Sequence, residues 1–189
     1  AKRGCFNIEA YGLTVLYANL SPAKRPDVQA DASALPFPSE TFGSVICSEL
    51  LEHVPYPPDV LAEAHRVLCP GGTLLLCVPF LNRMHGDPFD FGRYTDYYWA
   101  RTLKQAGFTI VGTEKQGQFW SVLVDMLRDL AVNRTHGPVL GSAAAISSIA
   151  AIVAAAKRMA LKWDARAANR ADGFSASFTT GFGIVARKE

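Results

Sequence analysis

The sequence predicts an α/β domain built on a mostly parallel sheet with helices on both faces, and three observations predict it. Short apolar runs recur at residues 12–20 (GLTVLYANL), 44–47 (SVIC) and 73–78 (TLLLCV), the form taken by strands buried on both faces. Helical patterns separate the later runs, so strand and helix alternate as they do in parallel-sheet proteins. Turn-forming residues fall between the units, at Ser21-Pro22, Pro70-Gly71-Gly72 and Gly107.

The elements follow in order. The β-branched and aromatic run at 12–20 reads as a buried strand that stops at Ser21-Pro22. Residues 58–68 carry Val60, Leu61, Ala64, Val67 and Leu68 at helical spacing, and Pro70-Gly71-Gly72 ends that helix in a tight turn. A second helix spans 96–106, stopped by Gly107, and 108–112 begin another strand. Phe119, Val122, Leu123, Met126, Leu127 and Leu130 recur with helical period, which gives an amphipathic helix over 119–132, and residues 133–138 break it. Residues 139–156 are 18 residues without a charge, eight of them alanine, and the helix they start continues to about Arg170. The run 178–186 (FTTGFGIVA) is the last strand.

A length of 189 residues suits one domain over 1–189, with 118–170 as a helical insertion or cap before the final strand. With 49% hydrophobic and 19% charged residues, the composition excludes collagen-like, disordered and disulfide-scaffold classes. A net charge of +2 and the lack of a recognition motif argue against a nucleic-acid partner. Cys5, Cys47, Cys69 and Cys77 form no CxxC pair and no Cys/His ligand spacing, so no metal is expected and the thiols read as reduced, in the cytoplasm. The first residues lack the apolar core of a signal peptide.

The chemistry concentrates in 31–54 (DASALPFPSETFGSVICSELLEHV) and in EAHRVLCPGGTLLLCVP after it. In an open parallel sheet, ligands bind at the carboxyl ends of the strands. Asn19 ends one strand, Asp31 lies in the following loop, and Ser48, Glu49 and Leu50 leave the next strand, so all three loops open onto one edge. The order Asp31, Ala32, Leu35, Pro36, Phe37, Phe42, then Leu51, Glu52, His53, then Arg66, Val67, Leu68, Pro70, Gly71, Gly72 closely resembles the class I, Rossmann-like S-adenosylmethionine-dependent methyltransferases, in particular the type 11 subgroup.

The resemblance implies a Rossmann-like fold with an antiparallel last strand, S-adenosylmethionine as cofactor and S-adenosylhomocysteine as product. It implies that Asn19 and Leu20 meet the ribose, Asp31 the adenine amino group and the Ala32 amide a ring nitrogen. Ser48, Glu49 and Leu50 then line the methionine and adenine side, and His53, also a cofactor candidate, is either at the rim of the site or a structural histidine at a helix end. Asn19 stands where the family has an acid that accepts two hydrogen bonds, and Gly43 where it has aspartate. The family's first strand and Gly-x-Gly turn belong roughly 20 residues before Asn19. They are expected to fall before residue 1, leaving 2–11 as the remains of the first helix.

Residues 85–95 (HGDPFDFGRYT) are dense in acid, base and hydrogen-bonding groups, similar to an insertion in bacterial members near polysaccharide or lipid biosynthesis. Asp90, Arg93 and Tyr94 are candidates for acceptor binding, and His85, then Asp87, for a catalytic base. The competing reading is a loop clamped by its own Asp-Arg pair. Arg158, Lys162, Arg166 and Arg170 recur every four residues as a basic stripe, so 139–170 is a packed helix, a homo-oligomer contact or a peripheral membrane surface. Two functions follow: methyl transfer to a small-molecule, sugar-linked or lipid-linked acceptor, or a methyltransferase-like module that binds or assembles without catalysis. A nicotinamide-dependent dehydrogenase is disfavoured, since the Asp31 and Leu51-Glu52-His53 pattern is no part of the dinucleotide fingerprint.

Overall fold

The computed structural model describes residues 12–133, 143–169 and 173–189. The expected helix remnant at 2–11, the break at 134–138, the start of the alanine-rich helix at 139–142, Cys5 and Arg170 lie outside them. Among the described residues the order is β1 (Ala18–Asn19), β2 (Val28–Gln29), β3 (Phe42–Ser48), α1 (Pro57–Val67), β4 (Leu68–Pro79), α2 (Asp96–Gln105), β5 (Phe108–Lys115), α3 (Phe119–Asn133), α4 (Ala143–Asn169) and β6 (Gly181–Lys188).

The strands form two sheets. The short parallel pair β1–β2 sets Asn19 beside Gln29, and the larger sheet runs β3-β4-β6-β5. In it β3 and β4 are parallel, while β6 is antiparallel to both β4 and β5. The closing strand is thus antiparallel, as expected. The outer edge of β3 carries no strand partner among the described residues.

One face of the larger sheet holds the core. Leu74, Leu76 and Val78 of β4 and Phe182, Ile184 and Ala186 of β6 alternate inward, where they meet Val60, Leu61 and Ala64 of α1 and Trp99 and Leu103 of α2. Each fully buried side chain of this kind contributes about 1.5–3 kcal/mol. On the opposite face Ile46, Leu75, Val111 and Val185 keep between 36% and 63% of their surface exposed.

Three local expectations change. The apolar run 12–20 pairs only at Ala18–Asn19, and Leu13, Leu16 and Leu20 are exposed, because its neighbour β2 is equally short. That neighbour, Val28–Gln29, lies in a polar stretch with no strand pattern of its own. Pro70-Gly71-Gly72 is a bulge inside β4 rather than a turn before it: Phe42 faces Leu68 while Ser44 already faces Thr73. Gly71 takes φ +72, and a Cβ on Gly72 would lie 2.8 Å from the Cys69 carbonyl oxygen, so both positions need glycine.

The insertion between β5 and β6 is a helix pair held by one carboxylate. Asp164 of α4 is buried, and it accepts hydrogen bonds from the backbone amides of Gln118, Trp120 and Ser121 at the start of α3, at 3.0, 3.0 and 3.1 Å. These are amides that a helix start leaves unpaired. Lys157 pairs with Asp125, and Trp120 meets Trp163 edge to face. Among the described residues no helix is long and apolar enough to cross a membrane. Replacing Asp164 with alanine strands the Trp120 and Ser121 amides, since the Gln118 amide also donates to the Ser121 hydroxyl at 3.0 Å, so the Asp164→Ala chain should unfold in urea with a stability lower by about 1–3 kcal/mol.

Candidate functional site at the carboxyl edge of the sheet

The loops after β1, β2 and β3 carry most of the residues that the resemblance assigns to the cofactor. Asn19 is engaged within its own turn: its Nδ2 donates to the Tyr17 hydroxyl at 3.0 Å and its Oδ1 accepts from the Ser21 amide at 2.9 Å. Leu20 beside it is exposed. Asp31 Oδ1 accepts from both the amide and the hydroxyl of Ser33, at 2.9 and 2.7 Å. Those bonds hold its carboxyl below the ordinary aspartate value. Ala32 packs against the core.

The motif's arginine has a positioning role. Arg66 donates to the Leu35 carbonyl oxygen at 3.1 Å and to both oxygens of Glu63. Glu63 in turn accepts from the Leu35 amide at 2.7 Å. The Asp31 loop is therefore stapled to α1 on both sides of Leu35.

At the end of β3 the backbone turns sharply, with Glu49 at φ +49, a left-handed conformation uncommon for non-glycine residues that Arg25 and Glu40 also adopt. Ser48 touches the Cys77 thiol, and Leu50 packs on the core. Partial desolvation, then the nearby Glu52 carboxylate, raises Glu49 above the ordinary glutamate value. Burial pushes the Cys47 thiol up to about 12, in line with an inert core cysteine.

The 83–94 loop closes over this edge. Asp90, with a 5% exposed side chain, pairs with both terminal nitrogens of Arg93, at 2.5 and 2.9 Å. It also accepts from the His85 amide at 2.7 Å. These contacts, Arg93 first, hold its carboxyl far below the usual range. Arg93 reaches on to the Arg83 carbonyl oxygen at 3.0 Å. The pair is thus the clamp of the loop, the bland alternative that the sequence allowed. Tyr94 stacks on Tyr98 with ring centres 4.2 Å apart and meets Trp99 edge to face, which places it in the packing between loop and α2. Asp87 is exposed.

The structure adds a residue that sequence reasoning missed. Glu52, 1% exposed, sits in the short turn after β3 between His53 and His85, and its ligand atom and theirs lie within 4.8 Å of one another. The two imidazoles meet edge to face at 4.9 Å. In sequence Glu52 is an ordinary helical glutamate; the only available signal was its position in Leu51-Glu52-His53, directly after a strand end. His53 and His85 were assigned separately, to cofactor and to catalysis, yet they form one cluster.

The Asp90 clamp gives a pH prediction. Its carboxyl is depressed in the folded state, so the stability it contributes is present above the ordinary aspartate value near 3.9 and is lost as pH falls below it. Asp90→Asn should cost about 3 kcal/mol at neutral pH. It should also flatten the acid limb of the stability curve below about pH 4, as followed by urea unfolding at each pH.

The comparisons with known proteins agree with this geometry. Residues 5–76 match the family model described as "Methyltransferase domain". The chain is 31% identical over 119 residues to the chloroplastic 2-methyl-6-phytyl-1,4-hydroquinone methyltransferase 2 of Oryza sativa subsp. japonica, covering 60% of this chain and 31% of that one. It is 33% identical over 101 residues to a ubiquinone/menaquinone biosynthesis C-methyltransferase of Methylobacterium nodulans, 53% of this chain and 37% of the relative. Over 72 residues it is 43% identical to a ubiquinone biosynthesis O-methyltransferase of Methylococcus capsulatus, 38% of this chain and 26% of the relative. The aligned part therefore spans about a third of the length of these curated relatives. A candidate sarcosine dimethylglycine methyltransferase from Galdieria sulphuraria superposes with a TM-score of 0.58 at 15% identity, over 96% of this chain and 72% of that one, a likeness of fold. In motif order, strand order and relatives the chain is similar to the class I S-adenosylmethionine-dependent methyltransferases.

Proposed function

We propose that the protein transfers the methyl group of S-adenosylmethionine to a small, lipid-soluble acceptor of the phenol or quinol kind. The observation that carries the reading is the convergence of the Asp31 loop and the strained Ser48-Glu49-Leu50 turn at one carboxyl edge, in the motif order of the superfamily. Carboxylates at Asp31 and Glu49 suit a ligand with a cationic sulfur and a polar adenine, so the residues present fit the cofactor.

When bound, S-adenosylmethionine supplies a methyl carbon on a positively charged sulfur, and S-adenosylhomocysteine is left when that carbon bonds to the acceptor. Such an in-line displacement asks the protein chiefly for positioning. Asp31, with the Ala32 amide, would hold the adenine, and Ser48, Glu49 and Leu50 the methionine side. Asn19 would act mainly by shaping its turn, since its amide already bonds Tyr17 and Ser21. Arg66 would keep the Asp31 loop in register. If the acceptor must lose a proton, His85, itself part of the Glu52 cluster, is the first candidate base and the exposed Asp87 the second. Asp90 and Arg93 would serve by holding His85 in place, and Tyr94 by bracing the loop.

Two supports favour a lipid-soluble acceptor. The relatives are named for methylating phytyl hydroquinone and for ubiquinone or menaquinone biosynthesis. The α3–α4 pair exposes Leu123, Met126, Leu127, Met159, Leu161 and Trp163. Arg158, Lys162 and Arg166 line a groove with Met159 and Trp163, a combination suited to resting on an anionic membrane surface.

The test is isothermal titration with S-adenosylmethionine and S-adenosylhomocysteine, followed by transfer of labelled methyl to a prenylated hydroquinone. Wild type should bind, and Asp31→Ala should bind more weakly by about 1.5–3 kcal/mol, the worth of a hydrogen bond to a charged group. Failure of the folded wild type to bind either compound would refute catalysis and favour the non-catalytic binding module.

A further inference from the structure

We propose that Glu52, His53 and His85 form a binding site for one divalent first-row metal ion of the zinc type. Both carboxylate oxygens of Glu52 are buried without a hydrogen-bond partner, although the side chain is 1% exposed. A carboxylate shielded from water needs hydrogen bonds, an opposite charge or a metal. Its neighbours are two imidazole nitrogens: Oε1 lies 3.5 Å from His53 Nε2 and 3.9 Å from His85 Nε2.

These distances are too long for hydrogen bonds. They are close to the spacing of ligands on a shared ion, because two atoms each about 2.1 Å from a tetrahedral metal stand about 3.4 Å apart. Small side-chain rotations would complete the set.

The other ring nitrogens settle which atoms face the ion. His53 Nδ1 lies 2.5 Å from the Phe89 carbonyl oxygen, and His85 Nδ1 lies 3.1 Å from the Arg83 carbonyl oxygen. A carbonyl only accepts, so both Nδ1 atoms carry a hydrogen, and Nε2 is the ring atom that each histidine turns towards Glu52. Arg93 Nη2 also lies 3.3 Å from His85 Nδ1, but that nitrogen already donates at shorter range to Asp90 and to the Arg83 carbonyl. Two imidazole Nε2 atoms and a carboxylate therefore converge on one point, a donor set that a cation between them would satisfy. Histidine ligands oriented by carbonyls through the second nitrogen are the usual support of a metal site. The loop is shaped for this approach: Gly86 adopts φ +78, and a Cβ there would stand 2.9 Å from His53 Cε1.

Two imidazoles and one carboxylate favour zinc, cobalt or iron(II) over magnesium or calcium, and they leave positions open to water or to an oxygen-bearing ligand. Glu49, close enough to interact with all three residues, adds a second negative charge. The competing occupant of the cluster is a proton on one imidazole.

The test is titration of the chelator-treated full chain with Co2+, read by its visible absorption, and competition with Zn2+ by calorimetry. The expected result is one equivalent of Co2+ with intense four- or five-coordinate bands, displaced by Zn2+. His85→Ala and Glu52→Gln should each weaken binding by at least about tenfold, the lower end of what losing even an outer-shell partner costs. Wild type that shows no saturable binding, or binding undiminished in His85→Ala with a wild-type circular dichroism spectrum, would overturn the site. Because His85 is partly exposed, that variant decides the matter even if Glu52→Gln does not fold. Neither cofactor nor acceptor is present in the titration, so its outcome is independent of the methyl-transfer reading.

Discussion

The position of β4 between β3 and β6 is the constraint on which the rest of the molecule depends. Its parallel register with β3 sets the carboxyl ends of the two strands side by side, which brings the turn after Ser48 next to the loop after Pro79. Its antiparallel register with β6 buries Leu74, Leu76 and Val78 against the same helices that cover Phe182 and Ile184. Core and site thus share one strand: alternate residues supply the packing, and its end launches the loop that carries His85 and Asp90. The amide of Glu49 donates to the Cys77 carbonyl oxygen at 3.0 Å, so the strained turn is itself an extension of this pairing.

Much of this was legible in the sequence because the signals were local and repeated. The helices α1, α2 and α3 were marked by apolar spacing and by their stops, and Gly107 ends α2 at φ +85 as a left-handed cap requires. Thr95 caps the start of α2 by accepting from the Tyr98 amide, a side-chain signal that lies one residue before the helix. β1 was overestimated and β2 overlooked for one reason. Whether a short run becomes a strand is decided by what lies beside it, and that is a matter of tertiary partners rather than of pattern.

The site was legible in part. Motif order pointed to the Asp31 loop and the turn at Glu49, and chemical density to the loop at 85–94, as candidates. What the order of residues could not convey was which polar groups answer to each other. Asp90 and Arg93, three residues apart, close on themselves, whereas Glu52 and His85 meet across 33 positions of sequence. Burial of a carboxylate leaves no trace in periodicity, since Glu52 looks like any solvent-facing glutamate until Leu51 and the loop from Gly86 to Phe91 cover it. The Phe91 amide donates to the Glu52 carbonyl oxygen at 2.7 Å, which seals that cover through backbone alone.

The way the α3–α4 pair is inserted has an evolutionary consequence. Its two ends leave and re-enter the sheet side by side: Lys115 stands opposite Phe182, and the Gln116 amide donates to the Gly181 carbonyl oxygen at 2.9 Å. The two flanking strands would form a simple hairpin if the helices were cut out. Such a segment behaves as a cassette, since lengthening a loop whose ends already touch costs little chain entropy. Lineages can therefore exchange this helix pair while leaving β4, and the residues at its end, untouched.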